Sequence, residues 1–182
     1  MIPDPTSADS VPPVNFFTTD DVVSILREHG WLSASPAPEH LVWCQRAASM
    51  LGPQSADKEA LAELLRLVFY YDASAIIAKV ETHIILSRRA ARNVLRELAV
   101  ALLDAGPLTS DLFKEIVDAM KFSLDLRSRD LFHPLRLYLA GRSGEGELDR
   151  VILLLDSAAV LPFDAPVKSA RQRILEFCVR LD

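Results

Sequence analysis

Apolar residues recur at helical spacing from about residue 18 to the end of the chain, and no stretch sustains the period-two alternation of a half-buried strand. Thr18, with Asp21 three residues on, predicts a capped helix carrying Val22, Val23 and Leu26 and closed at Gly30, after which Trp31 and Leu32 pack back. A second helix is expected from about Pro38 through Leu41, Cys44 and Ala48 to a stop at Gly52 and Pro53. Ser55 is expected to start a third, whose Leu61, Leu64, Leu65 and Val68 form one apolar stripe ending at Phe69, Tyr70 and Tyr71. Asp72 or Ser74 caps a helix bearing Ile76, Ile77 and Val80. Ser87 caps a longer one with Ala91, Val94, Leu95, Leu98 and Leu102, terminated by Gly106 and Pro107. Thr109 starts a helix with Phe113, Ile116, Val117 and Met120 on one side, followed by an arginine-rich polar link from Leu126 to Asp130. Because proline is best tolerated in a first turn, Pro134 predicts a short helix from about Leu131 to Gly141. Two more follow, on Leu148, Val151, Ile152 and Leu155 and then on Val167, Ala170, Ile174, Phe177 and Leu181.

The expectation is therefore an all-α, multi-helix bundle without sheet or fixed-period repeat. Residues 1–17, with four prolines and no lysine or arginine, read as a flexible leader, and residues 18–182 as the helical domain, divisible into subdomains of about 18–106 and 107–182. A chain of 182 residues, half of them apolar, can bury a full core. Its apolar runs fall well short of the ~20 residues of a spanning helix, and the leader has no apolar signal segment, so the expected setting is cytoplasmic and away from membranes. Cys44 and Cys178, far apart, make neither a disulfide framework nor a cysteine zinc site.

Chemistry-bearing patterns are sparse. His40 and Cys44 lie four apart on a helix, but two ligands do not make a zinc site and packing is the plainer reading, so neither metal nor cofactor is expected. Gly141, Gly144 and Gly146 with Arg142 form a glycine-containing loop before a helix; the element ahead of it is helical, and Glu145 and Glu147 would repel an anion, which favours a simple turn over a phosphate cradle. Glu145, Glu147 and Asp149 fit a solvated helix start. Arginine alone clusters: Arg88, Arg89, Arg92 and Arg96; Arg127, Arg129, Arg136 and Arg142; Lys168, Arg171, Arg173 and Arg180. Such clusters can meet phosphates with an exposed aromatic stacking on an unpaired base, or can be charge on helix flanks, and the net charge of −5 argues against a general nucleic-acid coat.

The stretch Asp130 to Arg142 resembles the C-terminal anticodon-binding region of bacterial-type glutamyl-tRNA synthetases, where a Gly-Lys-x-Leu-Phe-x-Pro-Leu-Arg-x-Ala-Leu-Thr-Gly pattern sits within a helical bundle. Leu131, Phe132, Pro134, Leu135, Arg136, Leu139, Gly141 and Arg142 match it; Ser128, Arg129, Tyr138 and Ala140 depart from it. The aromatic segment Phe69 to Asp72 and the helices up to Leu102 agree more loosely. Both nucleotide-binding signatures of the class I catalytic domain are missing from this sequence, as is its parallel-sheet pattern.

The resemblance implies a helical domain that binds a tRNA at its anticodon without aminoacylating it, with Arg127, Arg129, Arg136 and Arg142 as the candidate RNA contacts. The alternative is a protein-interaction module that kept the fold and lost RNA binding, docking on a separate synthetase catalytic chain or another protein. Net acidity and the altered Tyr138 and Ala140 favour that alternative.

Overall fold

A computed structural model describes residues 14–182. Among them the secondary structure is ten α-helices and one short 3-10 turn, with no strand. The leader expected over residues 1–17 lies outside the described residues up to position 13. Ahead of the first helix, Asn15 meets the end of the second: its side-chain amide donates to the Ala48 carbonyl (3.0 Å), and a Cβ at Gly52 would collide with it.

Helix α1 (Thr19–Glu28) opens with a capping box in which the Thr18 hydroxyl accepts from the Asp21 amide and the Asp21 carboxylate from the Thr18 amide. Gly30, at φ 70°, turns the chain out of it. Helix α2 (Pro38–Leu51) has its proline at N1, where the missing N–H costs no bond. A 3-10 turn (Gly52–Gln54) separates it from α3 (Lys58–Phe69), whose cap is Asp57 rather than Ser55. Ser55 instead closes the turn, its hydroxyl donating to the Leu51 carbonyl.

The element expected around Ile76 to Val80 is two helices, α4 (Ala73–Ile77), capped by Asp72, and α5 (Val80–Leu86). Buried Thr82 seals the break by donating its hydroxyl to the Ile76 carbonyl at 2.6 Å. Ser87 does not cap α6 (Arg89–Asp104): its hydroxyl turns back to the Ile84 carbonyl, and Arg88 occupies the cap position without a side-chain bond. Helix α7 (Ser110–Leu124) starts at Thr109 as expected. Helix α8 (Ser128–Ala140) begins three residues before the predicted Leu131 and carries Pro134 in its interior. The carbonyl that loses its partner is that of half-buried Asp130, in the first turn, while the proline ring is buried. Helix α9 (Gly146–Ala159) follows a tight turn, and α10 (Ala170–Leu181) starts after Ser169 caps it, leaving Val167 in the preceding link.

The buried apolar side chains form one connected cluster that draws on every α-helix among the described residues. Helix α6 packs on α8 and α10, while α2 and α3 pack on α9, so α8, α9 and α10 lie beneath the N-terminal helices. The all-α expectation is borne out.

Candidate nucleic-acid interface

The α7–α8 corner holds the candidate residues. Helix α7 ends on Asp125 in the left-handed region (φ 48°), a conformation that a short polar side chain tolerates, and Leu126 packs its side chain against the core. Arg127 then takes the cap position of α8 and offers no side-chain acceptor to the first-turn amides. Two exposed cations, Arg127 and Arg129, therefore stand where the helix dipole is already positive, and only Asp130 offsets them in that turn. Arg129 lines a cleft of about 280 Å³ together with Ser128, Phe132, His133, Arg136 and Glu145.

Arg136 has a different task. It is buried, its guanidinium gripping the Asp149 carboxylate with two hydrogen bonds (2.7 and 2.8 Å) and donating a third to the Gly144 carbonyl (2.7 Å). Burial opposes its charge, but the hydrogen bonds and charge of Asp149, with Glu145 and Glu147 behind it, outweigh burial and hold its pKa above the ordinary arginine value. The same guanidinium lies 4.7 Å from the Phe132 ring centre, and the Lys121 ammonium 5.5 Å from it. Arg136 thus ties the α8–α9 turn to the body of α8 and fixes the wall of the cleft, with most of its donors already used.

Arg142 lies beyond the other end of α8, after Gly141 closes the helix at φ 84°. At ~1.5 Å per residue, the length of the helix, roughly 20 Å, separates it from Arg129. The structure brings Arg129 and Arg136 to one cleft, with Arg127 two residues before Arg129, and leaves Arg142 apart. The glycine-containing loop around it is a turn: Ser143 donates its hydroxyl to Glu81, and Gly144 accepts from Arg136.

Sequence reasoning missed Phe122. It is 92% exposed in the last turn of α7, adjoining the corner from which Arg127 and Arg129 project. The signal was present: the buried positions of α7 run through Ile116, Val117 and Met120, and an aromatic at 122 falls off that stripe.

At the C-terminal end of α8, Arg173 is fully buried and belongs to no surface. Its guanidinium donates to the Leu67 (2.9 Å), Val68 (2.6 Å), Leu139 (2.8 Å) and Lys168 (3.2 Å) carbonyls. Three of these are last-turn carbonyls of α3 and α8, groups a helix leaves without internal partners. Burial pushes its pKa down to about 10. The Tyr71 ring lies under the guanidinium at 4.7 Å, and the Tyr71 hydroxyl donates to the Tyr138 carbonyl at 2.6 Å.

Tyr138 and Ala140, departures from the resembled pattern, are both buried. The Tyr138 hydroxyl donates to the Ala91 carbonyl of α6 at 2.6 Å, so the larger side chain is an internal α6–α8 strut. His40 and Cys44 are likewise internal: the His40 Nδ1 accepts from the Ala37 amide (3.1 Å), and burial pushes the Cys44 thiol up to about 12. No group of three or more His, Cys, Asp or Glu side chains is placed to hold a metal ion among the described residues.

Comparison with known proteins bears out the resemblance read from residues 130–142. The chain is 26% identical over 136 residues to a glutamate–tRNA ligase of Exiguobacterium sibiricum. The aligned part is 75% of this chain and 28% of that ligase, an extent that fits one domain of such an enzyme. No family model and no solved structure matches.

Proposed function

We propose that this chain binds the anticodon region of a tRNA through the α7–α8 corner and does not itself ligate an amino acid. The likeness to a glutamate–tRNA ligase over three-quarters of the chain, confined to 28% of that enzyme, carries the reading. The corner supports it: Arg127 and Arg129 are exposed beside a helix N-terminus, and Phe122 offers an unobstructed aromatic face. Cations that meet phosphates and a ring on which an unpaired base stacks are the two components single-stranded RNA recognition uses. In this reading Arg136 positions the cleft wall rather than contacting RNA.

The alternative, a protein-interaction module, drew on the net charge of −5 and on Tyr138 and Ala140. The last two are core residues and carry no weight either way for a surface. Glu145, lining the cleft opposite an incoming phosphate, still favours the alternative.

Binding of the purified chain to glutamate tRNA and to an unrelated tRNA across a salt series tests the proposal. Preference for the first, affinity that falls with salt, and a salt slope reduced by roughly one for each of Arg127→Ala and Arg129→Ala are expected. Phe122→Ala is expected to weaken binding by ~1–3 kcal/mol without changing the slope. Absence of binding at low salt would overturn the reading, as would equal affinity for both RNAs.

A further inference from the structure

Helices α6 and α10 each carry more apolar surface than the core uses. The core takes Ala91, Val94, Leu95, Leu98 and Leu102 from α6 and Ala170, Ile174 and Phe177 from α10. A second stripe runs beside each. On α6 it is Arg92, Arg96, Ala99, Val100 and Leu103; on α10 it is Arg171, Leu175, Cys178, Val179 and Asp182. Four of these are large apolar side chains left in solvent: Val100 is 56% exposed, Leu103 37%, Leu175 38% and Val179 72%. The two helices run antiparallel, since the end of α6 at Leu102 and Ala105 shares a cleft with Ser169 and Arg171 at the start of α10. Between them lies a groove of about 450 Å³, floored by Leu95, Ala99, Cys178 and Leu181.

The groove is polarised. Arg92 and Arg96, one turn apart and both exposed, line its α6 N-terminal end, and neither forms an ion pair among the described residues. Asp182 lines the groove as well without pairing with either. From Arg92 to Leu103 the stripe spans about 16 Å, three helical turns.

We propose that the α6–α10 groove is the docking site for an amphipathic helix of a protein partner, with its apolar face on Ala99, Val100, Leu103 and Leu181 and carboxylates facing Arg92 and Arg96. Two antiparallel helices offer ridges between which a third helix seats, and unpaired arginines at one end set its charge and its direction. An apolar floor without an aromatic ring is unsuited to stacking bases, which separates this surface from the α7–α8 corner.

The test uses the full chain, isotope-labelled for amide NMR, and three titrants: a synthetic helix about four turns long with leucines at i, i+3, i+4 and i+7 and paired glutamates at one end, its glutamate-to-lysine twin, and tRNA. The acidic peptide is expected to shift amides of α6 and α10 and to bind roughly tenfold more tightly than its twin. An Arg92→Glu, Arg96→Glu chain is expected to invert that preference, and Val100→Asp to weaken both peptides; unchanged melting shows each variant folded. Four results would overturn the proposal: no shift with the acidic peptide, equal binding of the two peptides, an uninverted preference in the charge-swapped chain, or shifts on α6 and α10 produced by tRNA alone. Concentration-dependent shifts of the same amides with no titrant, matched by dimer in sedimentation, would assign the groove to a second copy and overturn it too.

Discussion

The two ends of α8 treat arginine in opposite ways. At the C-terminal end Arg173 is sealed from solvent, with four donors on four backbone carbonyls. At the N-terminal end Arg127 and Arg129 stand in water. Arg173 has no carboxylate within ion-pair distance among the described residues; its charge is met by the negative ends of two helices, which converge on it because α3 and α8 both terminate there. At the other end the same dipole physics works against the cations and raises the local positive potential instead. One helix therefore has a structural cation where a cation is favoured and free cations where it is not. A side chain kept in the unfavourable place needs a reason outside the fold.

The comparison breaks most decisively at Arg173. Arg173→Met keeps the bulk and leaves several buried carbonyls unpartnered, an expected loss of about 3–5 kcal/mol in chemical denaturation. Much of a domain's typical net stability of roughly 5–15 kcal/mol would go with it. A loss below about 1 kcal/mol would show that the carbonyls find other donors and that the junction does not depend on this residue.

Arg136 is the intermediate case, set in the body of α8. Arg136→Ala removes both bonds to Asp149 and leaves that carboxylate beside Glu145 and Glu147, with an expected cost of about 2–3 kcal/mol since Asp149 keeps some solvent contact. A double-mutant cycle with Asp149→Asn should return a coupling of about 1–3 kcal/mol. A coupling near zero would make the pair incidental and return Arg136 to the list of RNA contacts.

Much of the fold is legible in the sequence wherever its cause is local. Thr18 and Thr109 start helices because an N-cap needs only a side-chain oxygen and the amide three residues on. Ser55 and Ser87 misled because each hydroxyl prefers a carbonyl three or four residues back, a choice decided by where the neighbouring helix ends. Pro134 misled because its burial in the core outweighs its poor fit to a helix interior. At the candidate site, sequence could group Arg127, Arg129, Arg136 and Arg142 but not sort them. The sorting depends on Asp149, 13 residues beyond Arg136, and on a helix length that carries Arg142 away. Arg173 is the extreme: its partners lie as far as 106 residues off, and clustering with Lys168 and Arg171 disguised it as surface charge.

A smaller effect sharpens the junction. Glu176 accepts from the Ala73 amide (3.0 Å) and pairs with Lys168, which also donates to the Tyr71 carbonyl. Burial works against its charge, but the Ala73 hydrogen bond and Lys168 prevail and hold its pKa below the usual glutamate value. A carboxylate with a depressed folded pKa stabilises above its unfolded pKa and loses that contribution as pH falls through the folded value. Glu176→Gln should therefore cost about 1 kcal/mol at neutral pH, and the gap to the parent should close in denaturation curves taken below the ordinary glutamate range. A pH-independent gap would mean that packing rather than charge is at stake.

The smallest stability effect is the most informative about function. Arg127 and Arg129 are exposed, form no ion pair among the described residues, and occupy a helix start that a positive charge does not favour. Their replacement by alanine is expected to change stability by less than about 0.5 kcal/mol and, if anything, to raise it. Against tRNA the order of the variants should reverse, with these two lowering affinity and its salt slope while Arg136→Ala, measured well below its melting temperature, keeps the parent's slope. If Arg127→Ala and Arg129→Ala instead destabilised the chain by as much as Arg136→Ala, the corner would be structural like the junction. The contrast between the two ends of α8 would then vanish, and with it the argument that the exposed cations are kept for a ligand.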